Sequence, residues 1–260
     1  MLVFDLLESD APGAPTVLLS SGLGGAASYW APQLPALRGH FRVITYDHAG
    51  TGRNQAELPD DYAIADMVAD VQAILDATGT SACHFVGHAL GGLVGLELAR
   101  LAPARLHSLV VVNGWMRVDA HTLRCFEARL ALLRHAGISA YVRAQPIFLY
   151  PATWLAENEP RLAAEDAHGI AHFQGEGNLR KRLGALQGFD ITEALPGINV
   201  STLIAAARDD VLVSADQSKR LAAAMPHASL SMTEHGGHAL NVTEPAAFNA
   251  FLLSFLHGHS

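Results

Sequence analysis

The sequence predicts an α/β fold, in which a mostly parallel β-sheet is covered by helices on both faces. Short apolar runs, typical of strands buried on both faces, recur along the 260 residues, and stretches with helical spacing separate them. Such alternation implies βαβ crossovers, which make successive strands parallel. Half of the residues are hydrophobic and 16% are charged, so the chain can bury a sizeable core.

The predicted strands and helices alternate in a regular order. We expect strands at 2–7, 16–20, 42–46, 83–86, 106–112, 201–206 and 229–233. We expect helices at 26–37, 64–78, 90–101, 214–225 and 244–256. The helix at 64–78 has the clearest pattern, because its apolar residues recur at helical spacing and Gly79 follows it as a common helix stop.

The most specific local pattern is a tight turn between a strand and a helix. Gly87-His88-Ala89-Leu90-Gly91 stands between the apolar run 83–86 and the helix-forming run 90–101. Strand, Gly-x-x-x-Gly and helix in this order are typical of the nucleophile elbow of α/β-hydrolases. The central position carries the nucleophile in a working serine hydrolase, but here it is Ala89, which has no nucleophilic atom. We therefore predict the α/β-hydrolase fold without its serine.

Two later loops contain the partners expected at such an elbow. Asp209 and Asp210 follow the sixth predicted strand, and His238 follows the seventh in Gly236-Gly237-His238. In α/β-hydrolases the acid and then the histidine follow the nucleophile along the chain, beyond the carboxyl ends of strands. Asp210 would orient the ring of His238, which would accept a proton near neutral pH. Asp209 is the adjacent alternative.

A glycine-rich loop, Ser21-Gly22-Leu23-Gly24-Gly25, follows the second predicted strand. In this fold class the loop supplies half of the oxyanion hole, because its backbone N–H groups can approach a ligand closely. We expect the hole to use the N–H groups of Leu23 and Leu90, the latter at the positive end of a helix dipole. The loop is neither GxGxxG nor a Walker motif, which argues against nucleotide binding.

The alternation of predicted strands and helices stops after Asn113 and resumes at Ser201. The segment up to about Gly188 is helix-like, with breaks at positions such as Gly137 and Pro146. We interpret residues 113–188 as an inserted helical lid. Residues 1–112 and 189–260 would then form the core of the α/β-hydrolase fold.

Composition and charge exclude several other functions. The net charge of −8 gives no electrostatic reason to expect a nucleic-acid or membrane partner. Cys83 and Cys125 lack CxxC spacing, and neither a signal peptide nor a membrane-spanning run is evident, so we expect a cytoplasmic protein. The 14 histidines are scattered without a His-Glu-x-x-His motif, and we expect no metal and no cofactor. A homodimer is left open.

Longer motifs resemble the RutD branch of the α/β-hydrolase superfamily. They are the elbow 87–91 with its alanine, 112–115, 120–122, 145–151, 171–175 and 236–243. The resemblance runs from the first glycine-rich loop to the last helix, and the lid motifs are its specific part. RutD acts in pyrimidine (uracil) degradation and is assigned to carbamate hydrolysis, formerly to aminoacrylate hydrolysis. Alanine at the elbow is usual in that family, whereas Ala49 stands where the family tends to carry arginine.

The resemblance implies hydrolysis of a small C–N substrate without an acyl-enzyme. Carbamate would give ammonia and bicarbonate, or aminoacrylate would give malonic semialdehyde and ammonia. Ala89 would leave room for a water that His238 deprotonates. Both substrates are anions, so we expect a cationic or polar group from the lid, although each candidate could equally face solvent. The candidates are Arg117, Arg124, His121, His172, Gln174 and Asn178.

Two alternatives remain at this point. The chain could be an esterase or lactonase whose serine is replaced by Ala89, in nature or by design. It could instead be a catalytically inactive scaffold that binds a small carboxylate or a partner protein. Retention of both Asp210 and His238 weighs against the inactive scaffold.

Overall fold

Seven strands form one sheet in the computed structural model, which describes residues 1–259. The strands are β1 Phe4–Leu7, β2 Thr16–Ser20, β3 Arg42–Tyr46, β4 Cys83–His88, β5 Leu106–Val112, β6 Thr202–Ala207 and β7 Ala228–Thr233. Their order in the sheet is β1-β3-β2-β4-β5-β6-β7. Only the β1–β3 pair is antiparallel among these neighbours, so the predicted mostly parallel sheet is confirmed.

The inner strands of the sheet are mostly apolar because both faces of the sheet are covered there. Successive side chains of a strand point to opposite faces. Phe85 of β4 accordingly packs in one core cluster, whereas its neighbour Val86 packs in another. Every residue of β2 and β4 is buried. Full burial of one such side chain stabilises the fold by about 1.5–3 kcal/mol.

Ten helices surround or extend the sheet in the described residues. They are α1 Leu34–Arg38, α2 Ile64–Ala77, α3 Leu90–Leu101, α4 Ala120–Leu149, α5 Ala152–Glu157, α6 Glu159–Ala171, α7 Glu176–Gln187, α8 Ala215–Ala224, α9 Leu240–Thr243 and α10 Pro245–His257. The buried side chains of α2 and α3 join the first core cluster, and those of α1 and α10 join the second. The helix predicted at 26–37 is instead a 3₁₀ turn, Ala27–Trp30, followed by α1.

Helices α4 to α7 lie between β5 and β6 in the chain, within the proposed lid. Asp119 caps the start of α4, where its side chain accepts a hydrogen bond of 2.8 Å from the Thr122 N–H. Gly137 divides α4 into two arms, because its φ of 86° and ψ of 179° are not helical. The predicted break at Gly137 is therefore present. None of the helices in residues 1–259 has the length and apolar character needed to cross a bilayer.

Three buried histidines, His48, His84 and His88, couple the stability of the fold to pH. Burial lowers the pKa of His48 to about 3 and that of His84 to about 4, and it holds the pKa of His88 well below its usual value. Unfolding returns all three values to about 6.5, so the unfolded chain binds more protons below that pH. Their stabilising effect is therefore complete above pH ~6.5 and is lost as the pH falls toward the folded-state values.

We expect the His48 ring alone to lower the free energy of unfolding by about 2 kcal/mol between pH 7.5 and pH 5. Urea unfolding at the two pH values measures this loss. His48→Gln should make this loss of unfolding free energy smaller by about 2 kcal/mol. His227→Gln, at an exposed position, should leave the loss unchanged. An equal pH dependence in the parent and the His48 variant would contradict the assignment.

Candidate active site

Ala89 occupies a strained turn between β4 and α3. Its φ of 47° and ψ of −111° lie in a region that residues other than glycine seldom adopt. The Ala89 N–H donates to the Val112 carbonyl at 2.8 Å, which fixes the turn to the end of β5. The predicted elbow is thus present, and a methyl group stands where a hydrolase presents its nucleophile.

The elbow depends on two backbone contacts too close for any side chain. A Cβ on Gly87 would lie 2.2 Å from the carbonyl oxygen of Gly91. A Cβ on Gly91 would lie 2.2 Å from the carbonyl oxygen of Ser20, at the end of β2. The two glycines of the motif are therefore required because a side chain would have no room there. Backbone conformation is not the reason, since neither residue has a positive φ.

Asp210, and not Asp209, holds the ring of His238. The His238 Nδ1–H donates to Asp210 Oδ2 at 2.8 Å, and both side chains are buried. The other Asp210 oxygen accepts from the Leu212 and Val213 N–H groups at 2.8 and 2.9 Å. With Nδ1 protonated, Nε2 of His238 is the atom able to accept a proton, and it has no hydrogen-bond partner in residues 1–259.

Asp209 has a different role in the same turn. Its carboxylate accepts from the N–H groups of Gly236 and Gly237, at 3.3 and 2.8 Å. These bonds fix the glycine turn that precedes His238. The preference for Asp210 as the partner of His238 therefore agrees with the geometry, whereas Asp209 supports the loop.

Two residues that the sequence analysis did not single out hold the backbone of His238. Its carbonyl accepts from Asn113 Nδ2 at 2.6 Å and from His88 Nε2 at 2.7 Å. Asn113 follows β5 with a φ of 49°, a conformation that asparagine tolerates better than most residues. Because His88 Nε2 donates, its buried Nδ1 is an unpaired acceptor. In the sequence, an asparagine directly after a predicted buried strand indicates a turn of this kind.

The predicted oxyanion-hole residues, Leu23 and Leu90, line the same cavity as Ala89 and His238. Leu90 is the first residue of α3, so its N–H has no acceptor within the helix. The Leu23 N–H likewise has no acceptor in the part of the chain that the structure describes. Two N–H groups are thus available for a developing negative charge.

Arg182 of α7 ties the lid to the glycine-rich loop. Its guanidinium donates to the carbonyl oxygens of Leu23, at 3.3 Å, and Ala49, and to Oε1 of Gln174. Burial lowers the pKa of Arg182 to about 10, so it remains charged at neutral pH. These bonds hold the carbonyl group of Leu23, which is also one of the residues that line the cavity.

The cavity has a volume of about 340 Å³, enough for roughly ten water molecules at liquid density. Its walls are mostly apolar. Its polar side chains, besides His238, come largely from the lid: Arg129, Gln145, His168, His172 and Gln174. Residues of the core and of the segment 113–188 therefore line a small, mostly apolar cavity that contains a proton acceptor, His238.

Only some of the predicted lid residues reach this cavity. His172 and Gln174 line it, as expected. Arg117 is exposed and lines a separate cavity, and Arg124 is exposed and donates to the Ala120 carbonyl. His121 is exposed and bonded to the Val211 carbonyl. The placement of these three does not fit the predicted contact with substrate.

The surroundings of two predicted residues, Asn178 and His172, can also be described. Asn178 does not line the cavity but joins the lid to the core, since its Oδ1 accepts from the Leu58 N–H at 3.0 Å. His168 and His172 stack at 4.2 Å, one helical turn apart. Among the described residues, no group of three His, Cys, Asp or Glu side chains could hold a metal ion.

Arg129 is a charged cavity residue that the sequence analysis missed. It lies on the apolar side of the first arm of α4, between the buried Phe126 and Leu133. In the sequence, Arg129 lies at helical spacing from apolar residues. This pattern indicates that the cation is buried rather than exposed to solvent. Arg117 and Arg124 lack this register.

Comparison with known proteins agrees with this geometry. The family described as "alpha/beta hydrolase fold" matches residues 15–136. A Variovorax paradoxus protein named "Putative carbamate hydrolase RutD" is 59% identical over 242 residues, which cover 92% of this chain and 91% of that protein. The Agrobacterium fabrum protein of the same name is 49% identical, covering 94% and 93%. The solved structure of the enol-lactonase from Burkholderia xenovorans is 26% identical, with a TM-score of 0.89 over 98% of this chain and 96% of the other.

Proposed function

Because the chain belongs to the RutD family of α/β-hydrolases, we propose that it hydrolyses a small anionic C–N substrate in pyrimidine degradation. Carbamate is the first candidate, and aminoacrylate is the second. The observation that supports this most is the intact Asp210–His238 pair, which faces a cavity where Ala89 offers no nucleophile. A site with a base but no side-chain nucleophile suits attack by water.

The proposed reaction begins with a water held beside the methyl group of Ala89. His238 Nε2 takes one proton from this water as its oxygen bonds to the carbon of carbamate. The N–H groups of Leu23 and Leu90 stabilise the negative charge that develops on oxygen. The imidazolium then returns the proton to the nitrogen, the C–N bond breaks, and ammonia and bicarbonate leave.

Aminoacrylate would follow the same steps through its imine form. Water would add to the C=N carbon, and ammonia would leave to give malonic semialdehyde. General-base catalysis contributes roughly 10²–10⁴-fold. Both compounds decompose spontaneously, so the proposal requires only an acceleration of this modest size.

The experiment is a comparison of ammonia release with and without the protein, using fresh carbamate and, separately, aminoacrylate generated in the assay. The proposal predicts a rate that rises in proportion to protein concentration for one of the two compounds. Release at the spontaneous rate for both compounds, at every protein concentration, would refute it.

An esterase or lactonase is the second candidate function. The acid–histidine pair and the likeness to an enol-lactonase favour it. This alternative predicts that Ala89→Ser gains a burst with an activated ester and becomes covalently labelled. The inactive-scaffold alternative predicts instead that small carboxylates raise the melting temperature while no substrate is turned over.

A further inference from the structure

Arg129 is a buried cation inside the cavity. Its side chain projects from the first arm of α4 and is only 6% exposed. The rings of Phe126, Tyr141 and Phe148 surround the guanidinium, with centroids 5.5, 5.8 and 5.7 Å from its central carbon. These rings favour a positive charge but supply no hydrogen-bond acceptor of ordinary strength.

The guanidinium has no counter-ion within residues 1–259. The side-chain acceptor that it contacts is Oε1 of Gln145, on the second arm of α4. Nε of Arg129 and Nε2 of Gln145 are both buried, and neither has a partner in the described part of the chain. Because buried donors left unpaired cost free energy, an acceptor from outside the chain is expected here.

Arg182 is the second buried arginine of the lid, and its Nε is likewise unpaired, but its other nitrogens bond differently. It donates to the backbone carbonyls of Leu23 and Ala49 as well as to Gln174, so it serves the structure. Arg129 donates to no backbone carbonyl in the described residues, and it lines the cavity together with His238. The two buried arginines of the lid therefore have different roles.

We propose that Arg129, oriented by Gln145, binds the carboxylate group of the substrate. This inference rests on the proposed function and assigns the substrate-recognition residues of the same site. A planar guanidinium matches a carboxylate through two parallel N–H bonds, and the Gln145 amide supplies a further donor. The cation also offsets the repulsion that the buried Asp210 carboxylate exerts on an anionic substrate.

Propanoate is a suitable probe, with propanamide as its uncharged counterpart, and calorimetry measures the binding of each. In Arg129→Gln we expect propanoate binding to weaken about tenfold or more, the effect of losing a charge-assisted hydrogen bond. Propanamide binding should change little. Arg143→Gln, at an exposed position on the same helix, should bind both probes as the parent does.

Gln145→Glu tests the same site without removing the arginine. The new carboxylate would pair with Arg129 inside the protein, so propanoate should be excluded while the fold is kept. Propanoate binding that is equal in the parent, Arg129→Gln and Gln145→Glu would overturn the assignment, as would a parent that binds no propanoate. If the parent binds propanoate through Arg129 but releases no ammonia, the subsite stands and the proposed function fails.

Discussion

Replacing His238 with glutamine is expected to lower protein-dependent ammonia release by roughly 10²-fold or more. Glutamine can still donate to Asp210 but cannot accept a proton from water. In the Asp210–His238 pair only Nε2 of His238 can accept this proton, because Nδ1 donates to Asp210 Oδ2 at 2.8 Å. The measurement is the difference between release with the variant and the spontaneous release.

His135→Gln is the matched control, since His135 is exposed on α4 and lies outside the cavity. It should release ammonia as fast as the parent. Thermal melting of the His238 variant shows whether its fold is kept. A folded His238→Gln protein with the parent's rate would mean that His238 is not the base.

Replacing Gly91 with alanine should prevent folding or lower the free energy of unfolding by at least ~3 kcal/mol. The added Cβ would lie 2.2 Å from the Ser20 carbonyl oxygen, and backbone cannot move aside as a flexible side chain can. The change would force β2 and α3 apart at the site itself. Urea unfolding, or the soluble yield where no folded protein forms, measures the loss.

Gly184→Ala provides the comparison. Gly184 lies inside α7, where an added Cβ would meet no atom within 4 Å. There alanine should raise stability by up to ~1 kcal/mol, because it restricts the unfolded chain and favours the helix. Equal stability of the Gly91 and Gly184 variants would show that the elbow tolerates a side chain.

The sheet and the loops of the candidate site could be predicted because their signals are local. Strands buried on both faces are mostly apolar, and the elbow needs glycine where backbone meets backbone. The order of elbow, acid and histidine then identified Asp210 and His238. The structure adds that Asp209 supports the turn rather than the ring.

The cavity-facing side of the segment 113–188 could not be predicted in the same way. Which side chains reach the cavity depends on how the two arms of α4 diverge at Gly137. Arg117 and Arg124 were chosen for their charge, but both are exposed. Arg129 lies among apolar positions of its helix and is buried, so its position in the helix, and not its charge, predicts that it reaches the cavity.

Attack by solvent rather than by a side chain is tested most directly by the intact mass of the protein during turnover. Samples quenched in acid while ammonia release is above the spontaneous rate are measured by mass spectrometry. A water nucleophile in the space beside Ala89 predicts that the protein keeps its unmodified mass throughout. A mass increase matching a carbamoyl or acyl adduct would contradict it.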